Sequence, residues 1–226
     1  GHRAWLIYRT ISTLTDYQGH RGRSRLTGRL LVMTTDLERV LGYQEAQNDD
    51  GDMVQVAENL LMMPFWTPEM CQAVINAAEA AGGFEPNPDD PVPGHEISLA
   101  VISPRLYENL MIDLGERIWP QLQQKWPLID YCGLRDAFII KYSLDGQTDL
   151  RIHHDVAQVS ASVKLNDSYE GAELDFPQQS FTNRDVPVGS LLAWPSLVTH
   201  PHQTLPLTGG IKYGLTIWFE LPEQYS

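Results

Sequence analysis

Hydrophobic and polar positions alternate strictly between Val159 and Asn166, where Val159, Ala161, Val163 and Leu165 are interleaved with Ser160, Ser162, Lys164 and Asn166. Successive side chains of a strand point to opposite faces, so this segment predicts a strand with one apolar and one polar face. The apolar face suits packing against helices. The polar face suits either solvent or the lumen of a barrel that holds a small molecule. Related short runs, "DAFIIKY", "AELDF", "SLLAWP" and "KYGLTIWFEL", predict further strands separated by turn residues.

The preceding part of the chain is patterned differently. "VQVAENLLMMPFW" predicts extended structure from Met53 onward. "TPEMCQAVINAAEAAGG" carries helix signals at both ends, with Thr67 as N-cap, Pro68 in the first turn and glycines at the stop. The proline-rich stretch 85–94 predicts a loop, "HEISLAVI" a strand, and "PRLYENLMIDLGERIWPQLQQKW" a long helix bent or broken near Pro120. Helices first and strands last predict an α+β arrangement, with helices on one face of a barrel or sandwich. Residues 1–50 read as an N-terminal extension, partly basic and flexible, with the main domain over 51–226. "RAWLIYRTI" suits a strand or short helix, and "NDDGD" marks a turn or boundary.

Charge narrows the partners. Residues 1–40 hold seven Arg and three acids, leaving nine basic against 26 acidic residues for the remainder of a chain of net charge −13. That body repels phosphates, which disfavours nucleic acid, and it tolerates a cationic substrate. No run reaches the roughly 18 apolar residues of a membrane span. Two cysteines, Cys71 and Cys132, exclude a disulfide framework and read as buried free thiols. A secretory signal pattern is not visible, and the expectation is a soluble, cytoplasmic protein.

Four of the seven histidines fall in two short segments, "RIHHD" and "THPHQT". His153 and Asp155 are two apart, so an extended chain presents both on one side and His154 on the other. His202 or His200, from another strand, supplies a third donor. Two imidazoles and one carboxylate on one face of an octahedron leave three open positions, the facial triad of non-haem Fe(II) oxygenases. Lys212, ten residues beyond His202, is a cation suited to the far carboxylate of 2-oxoglutarate, whose 2-oxo-acid end would chelate the metal.

"FIIKYSLDGQTDLRIHHD", "LNDSYEGAELDF" and "THPHQTLPLTGGIKY", with "PFWTPEMCQAVI" and "HEISLAVI" upstream, resemble the Fe(II)- and 2-oxoglutarate-dependent prolyl/lysyl hydroxylase superfamily. Within it, the likeness is to the catalytic domain of procollagen lysyl hydroxylases and covers roughly residues 55–222. It implies a double-stranded β-helix, a cupin-like jelly-roll barrel. It also implies His153, Asp155 and His202 as iron ligands, Lys212 as the basic residue for 2-oxoglutarate, and Tyr142, Ser162, Lys164 and Asn166 as lumen residues near it. His154 and His200 become supporting residues. Lys164 departs from the family, which has a small residue there. The lysyl hydroxylases carry Arg at the position of Lys212, and the collagen prolyl enzymes Lys.

The implied reaction is hydroxylation of an unactivated C–H in an amino acid, free or in a peptide, with release of succinate and CO2. Lysine or another cationic residue is the expected substrate, and O2 the oxidant, with ascorbate as a reductant. A prolyl-type or natural-product hydroxylase is the alternative within the superfamily. Outside it stand a zinc hydrolase, which would need no 2-oxoglutarate, and a catalytically silent binding module.

Overall fold

The computed structural model describes residues 51–86, 88–127 and 133–220, together with Tyr43. The predicted extension, apart from Tyr43, lies outside the described residues, as does Cys132. Tyr43 itself is buried; its hydroxyl donates to Asp113 at 2.7 Å and accepts from Trp66 Nε1 at 3.0 Å, so this residue belongs to the core of the main domain.

The chain opens with a hairpin, β1 (Val54–Ala57) and β2 (Leu60–Pro64), followed by α1 (Pro68–Ala81). Thr67 Oγ1 accepts from the Met70 amide at the start of α1, and Gly82, at φ +66°, ends it, as the capping signals predict. β3 (Glu85–Pro86) leads through the proline-rich loop to β4 (His95–Ser98). "HEISLAVI" does not remain a strand: Leu99–Ile102 form one helical turn, α2. Leu99 and Ile102 are buried while Val101 is 71% exposed, the three-residue spacing of a helix rather than the two-residue spacing of a strand.

The predicted long helix is three pieces: α3 (Pro104–Asp113), a π-helical turn over Leu114–Ile118, and α4 (Trp119–Lys125). Pro120 has no N–H to give the carbonyl four residues back, and its ring crowds that carbonyl. That carbonyl belongs to Glu116, so the disruption falls in the turn before the proline. The π turn lets the helix continue.

Nine further strands follow: β5 (Gly133–Ser143), β6 (Leu150–His153), β7 (Val159–Lys164), β8 (Tyr169–Gly171), β9 (Leu174–Phe176), β10 (Phe181–Thr182), β11 (Ser190–Pro195), β12 (His202–Thr204) and β13 (Leu207–Glu220). They build two antiparallel sheets. The larger runs β1-β2-β11-β7-β13-β5-β4-β3 with β8 against β13; the smaller runs β10-β9-β12-β6. This is the expected jelly roll.

The large sheet is covered on both faces. Its outer face gives Val159, Ala161, Val163, Leu191, Leu215 and Ile217 to one core with α1–α4. Its inner face gives Leu60, Leu192 and Trp194 to a second cluster with Leu174 and Phe176 of the small sheet. Burial on both faces accounts for "SLLAWP" reading as a continuous apolar run. One knot ties the layers: the Gly189 carbonyl accepts from Phe65 and Trp66, and its amide donates to the Lys164 carbonyl at 2.8 Å. Gly189 has φ +85°, and a Cβ there would stand 1.9 Å from the Trp66 carbonyl oxygen.

Candidate active site

β6 and β12 are neighbours in the small sheet, and their register sets His202 directly opposite His153. The ring centroids lie 4.5 Å apart. Asp155 lies two residues beyond the end of β6, and its Oδ1 is 3.4 Å from His153 Nε2 and 3.6 Å from His202 Nε2. Ligand atoms of His153, Asp155 and His202 all fall within 4.8 Å of one another.

Each imidazole is oriented by the backbone two residues before it. His153 Nδ1 faces the Arg151 carbonyl at 2.8 Å, and His202 Nδ1 the His200 carbonyl at 3.1 Å. In both, the carbonyl two residues back takes Nδ1 and leaves Nε2 toward the carboxylate. His202 is further held by the rings of Phe176 and Trp194, at 5.3 and 5.1 Å. Burial opposes ionisation of Asp155, but the two imidazoles and a 2.5 Å hydrogen bond from Ser160 hold its carboxyl far below the usual range. Ser160 Oγ also meets Ser196 Oγ at 2.5 Å. Burial opposes the charged form of His153 as well, yet Asp155 and the Arg151 carbonyl raise its pKa. The donor set fits a divalent metal: a preoriented carboxylate and two imidazoles with free Nε2 atoms, converging on a cavity.

The same cavity is lined by Tyr142, Ser162, Lys164 and Lys212. Lys212 is buried on β13, donates to the Ala172 carbonyl at 2.7 Å, and lies 5.0 Å from the ring centroid of its cross-strand partner Tyr142. Tyr142 in turn accepts from Thr204 Oγ1 at 3.0 Å, two residues after His202. Lys164 is buried too, and bonds the carbonyls of Arg184 at 2.9 Å and Asn183 at 3.3 Å. Burial lowers the pKa of both lysines, that of Lys212 to about 7.

Asn166 is a correction. It lies past the end of β7, where alternation no longer holds, and is not brought to the cavity. Its amide instead clamps β13, donating to the Ile211 carbonyl and accepting from the Tyr213 amide. His154 is exposed at the cavity edge. His200 is buried and bonds the Glu58 carbonyl, so it anchors the turn whose carbonyl orients His202.

Several residues of the cavity, and Ser160 behind Asp155, were not among the sequence-based candidates. Thr204 shares the two-residue period of His202, a signal that was present. Ser160 belongs to the polar set of β7. Trp194, from the second sheet face, and Asp90 and Glu96, from the proline-rich loop and β4, carried no local signal.

No family model matches the chain. Curated relatives do. The chain is 24% identical over 188 residues to the multifunctional procollagen lysine hydroxylase and glycosyltransferase of Rattus norvegicus, covering 76% of this chain and 25% of that protein. It is 23% identical over 178 residues to the procollagen lysyl hydroxylase and glycosyltransferase of Acanthamoeba polyphaga mimivirus, covering 73% and 20%. A prolyl-4-hydroxylase structure from Pseudomonas putida superposes with a TM-score of 0.54 at 18% identity, over 82% of this chain and 99% of that one. The chain is similar in sequence to procollagen lysyl hydroxylases and shares its fold with prolyl hydroxylases of the 2-oxoglutarate/Fe(II) oxygenase type. It spans about a quarter of the length of the first of these relatives. The oxygenase fold accounts for the two-sheet frame, and the metal-competent cluster sits on its smaller sheet.

Proposed function

We propose that the chain is an Fe(II)- and 2-oxoglutarate-dependent hydroxylase that acts on a cationic amino-acid side chain, with lysine in a peptide or as the free amino acid as the first candidate. The observation that carries this reading is the convergence of His153, Asp155 and His202 on a cavity that also holds the buried Lys212. The relatives' lysyl hydroxylase names support lysine, and the acids Asp90 and Glu96 in the cavity lining suit a cation.

His153, Asp155 and His202 would hold the iron, which together with 2-oxoglutarate and O2 supplies the oxidising power for C–H hydroxylation, releasing succinate and CO2. Residues of the chain do the rest. Lys212 neutralises the far carboxylate of 2-oxoglutarate, and the Tyr142 ring lies against its ammonium group. Ser160 keeps Asp155 ionised and aimed, so that the carboxylate reaches neutral pH as an anion. The apolar walls of Phe138, Ile140 and Leu174 limit water in the cavity.

Anaerobic addition of Fe(II) and 2-oxoglutarate tests the reading: a metal-to-ligand absorption band near roughly 500 nm is expected of such a site. Absence of the band would remove the assignment. Succinate release across lysyl peptides, free lysine, arginine and prolyl peptides then tests the substrate, and a response confined to prolyl peptides would overturn the cationic choice.

A further inference from the structure

We propose that Lys164 and Lys212 form one anion subsite, in which both ammonium groups close on the same carboxylate of the dicarboxylate co-substrate. The identity of that co-substrate rests on the 2-oxoglutarate reading above; the cation pair does not. The register partner of Lys164 on β13 is Gly214, and Lys212 stands two residues before Gly214. Two residues along a strand is the same face, so both lysines project into the cavity from adjacent strands. Gly214 lacks a side chain between them. A Cβ there would meet only Ile140, at 3.7 Å, so the gap is open on the cavity side.

An ammonium has three donors. Lys212 uses one on Ala172, and Lys164 two on Asn183 and Arg184, which leaves three N–H groups for the acceptor sites of one carboxylate. Among the described residues neither lysine has a carboxylate in ion-pair contact. Glu173 acts on both charges, but its carboxylate is bound by Arg184 at 2.8 and 3.0 Å. Asp167 and Asp185 act on Lys164 from the flanking loops, and Tyr142 presents only its ring to Lys212. Two buried cations that lack an anion are costly, and a ligand carboxylate supplies the missing charge. Burial and then the Lys164 charge push Lys212 down to about 7, so near neutral pH the pair is short of a proton. A bound carboxylate draws that proton back, and binding of the co-substrate takes up protons from solution.

Calorimetry on the full chain tests this at pH 8 in two buffers of different ionisation enthalpy. The ligands are 2-oxoglutarate with Mn(II)-loaded protein under anaerobic conditions, and glutarate, which lacks the 2-oxo acid, with metal-free protein. Wild type is expected to take up a large fraction of a proton per ligand. Lys164→Met is expected to weaken both ligands about tenfold or more, and to lower the uptake because Lys212 no longer faces a second cation. Lys164→Arg is expected to retain affinity. Unchanged affinity and uptake in Lys164→Met would reduce Lys164 to a tie for the 183–184 segment and overturn the pair. If that variant does not fold, the wild-type proton count decides, and zero uptake overturns the pair. If glutarate behaves as expected while Mn(II) adds nothing to 2-oxoglutarate binding, the lysine pair stands and the iron-dependent reading falls.

Discussion

The two sheets face each other across one cavity but are built on opposite principles. The large sheet has strands of up to 14 residues, is packed on both faces and carries the buried lysines. The small sheet has strands of two to four residues and carries both histidines of the triad. Strands so short gain little from their own ladders and depend on what they pack against. His202 is held by Phe176, Trp194 and one backbone carbonyl rather than by a long hydrogen-bonded strand. The proposed anion subsite therefore rests on a long, doubly packed wall, while the proposed metal centre is also a clasp: an ion bound by His153 and His202 would cross-link β6 to β12.

Removing the clasp should have the largest effect. Asp155→Ala is expected to abolish measurable divalent-metal binding, lower turnover about a thousandfold or more, and eliminate the rise in melting temperature that metal gives wild type. A metal-induced rise that survived in this variant would place the ion elsewhere. On the outer face of the large sheet, Leu215→Ala is expected to cost about 2–5 kcal/mol in denaturant unfolding, while the half-saturating 2-oxoglutarate concentration of the folded fraction stays unchanged. One face of β13 would then carry stability and the other ligand. Lys212→Ala is expected to raise that half-saturating concentration about 10–100-fold, with metal affinity retained. Loss of both together would mean that wall and clasp are not separate.

The smallest effect concerns the rim. Burial, then Asp90 and Asp136, push the Glu96 carboxyl up to about 7. The folded chain thus binds more protons at this site than the unfolded chain between roughly pH 4.3 and 7. Stability from Glu96 is complete at the acid end and is lost as pH rises through that window. Glu96→Gln should remove this slope, leaving the variant more stable than wild type by about 1 kcal/mol at pH 8 and equal to it near pH 4. A variant no more stable at pH 8 would mean that the rim acids are already neutralised.

Legibility in the sequence followed the same division. The large sheet was readable because alternation over β7 and β13 is enforced by helices on one side and a cavity on the other. The triad was readable because His153 and Asp155 keep a two-residue spacing and the resemblance chose His202 over His200. Asn166 was misassigned because alternation stops where the strand does, at Lys164. "LAVI" was misread because four apolar residues fit either period; the three-residue spacing of the buried Leu99 and Ile102, nearly a full turn, decides it only in three dimensions. Trp194, Glu96 and Asp90 reach the cavity through tertiary packing, and no local pattern announces that. Residues 1–42 and 44–50 add nothing to either side of this account, because they lie outside the described residues.

The Gly189 knot has a consequence for how the chain reaches this state. It joins Phe65 and Trp66 to Lys164, and among the described residues β2 beside it pairs with β1 and β11. An early segment therefore waits for one more than a hundred residues later, and β7 waits for both β11 and β13. Such non-local closure is slow, in the millisecond-to-second range typical of sheet-rich domains. During synthesis the hairpin and helices emerge with their outer-face partners still unmade, so the cavity comes into being only after β13 has left the ribosome.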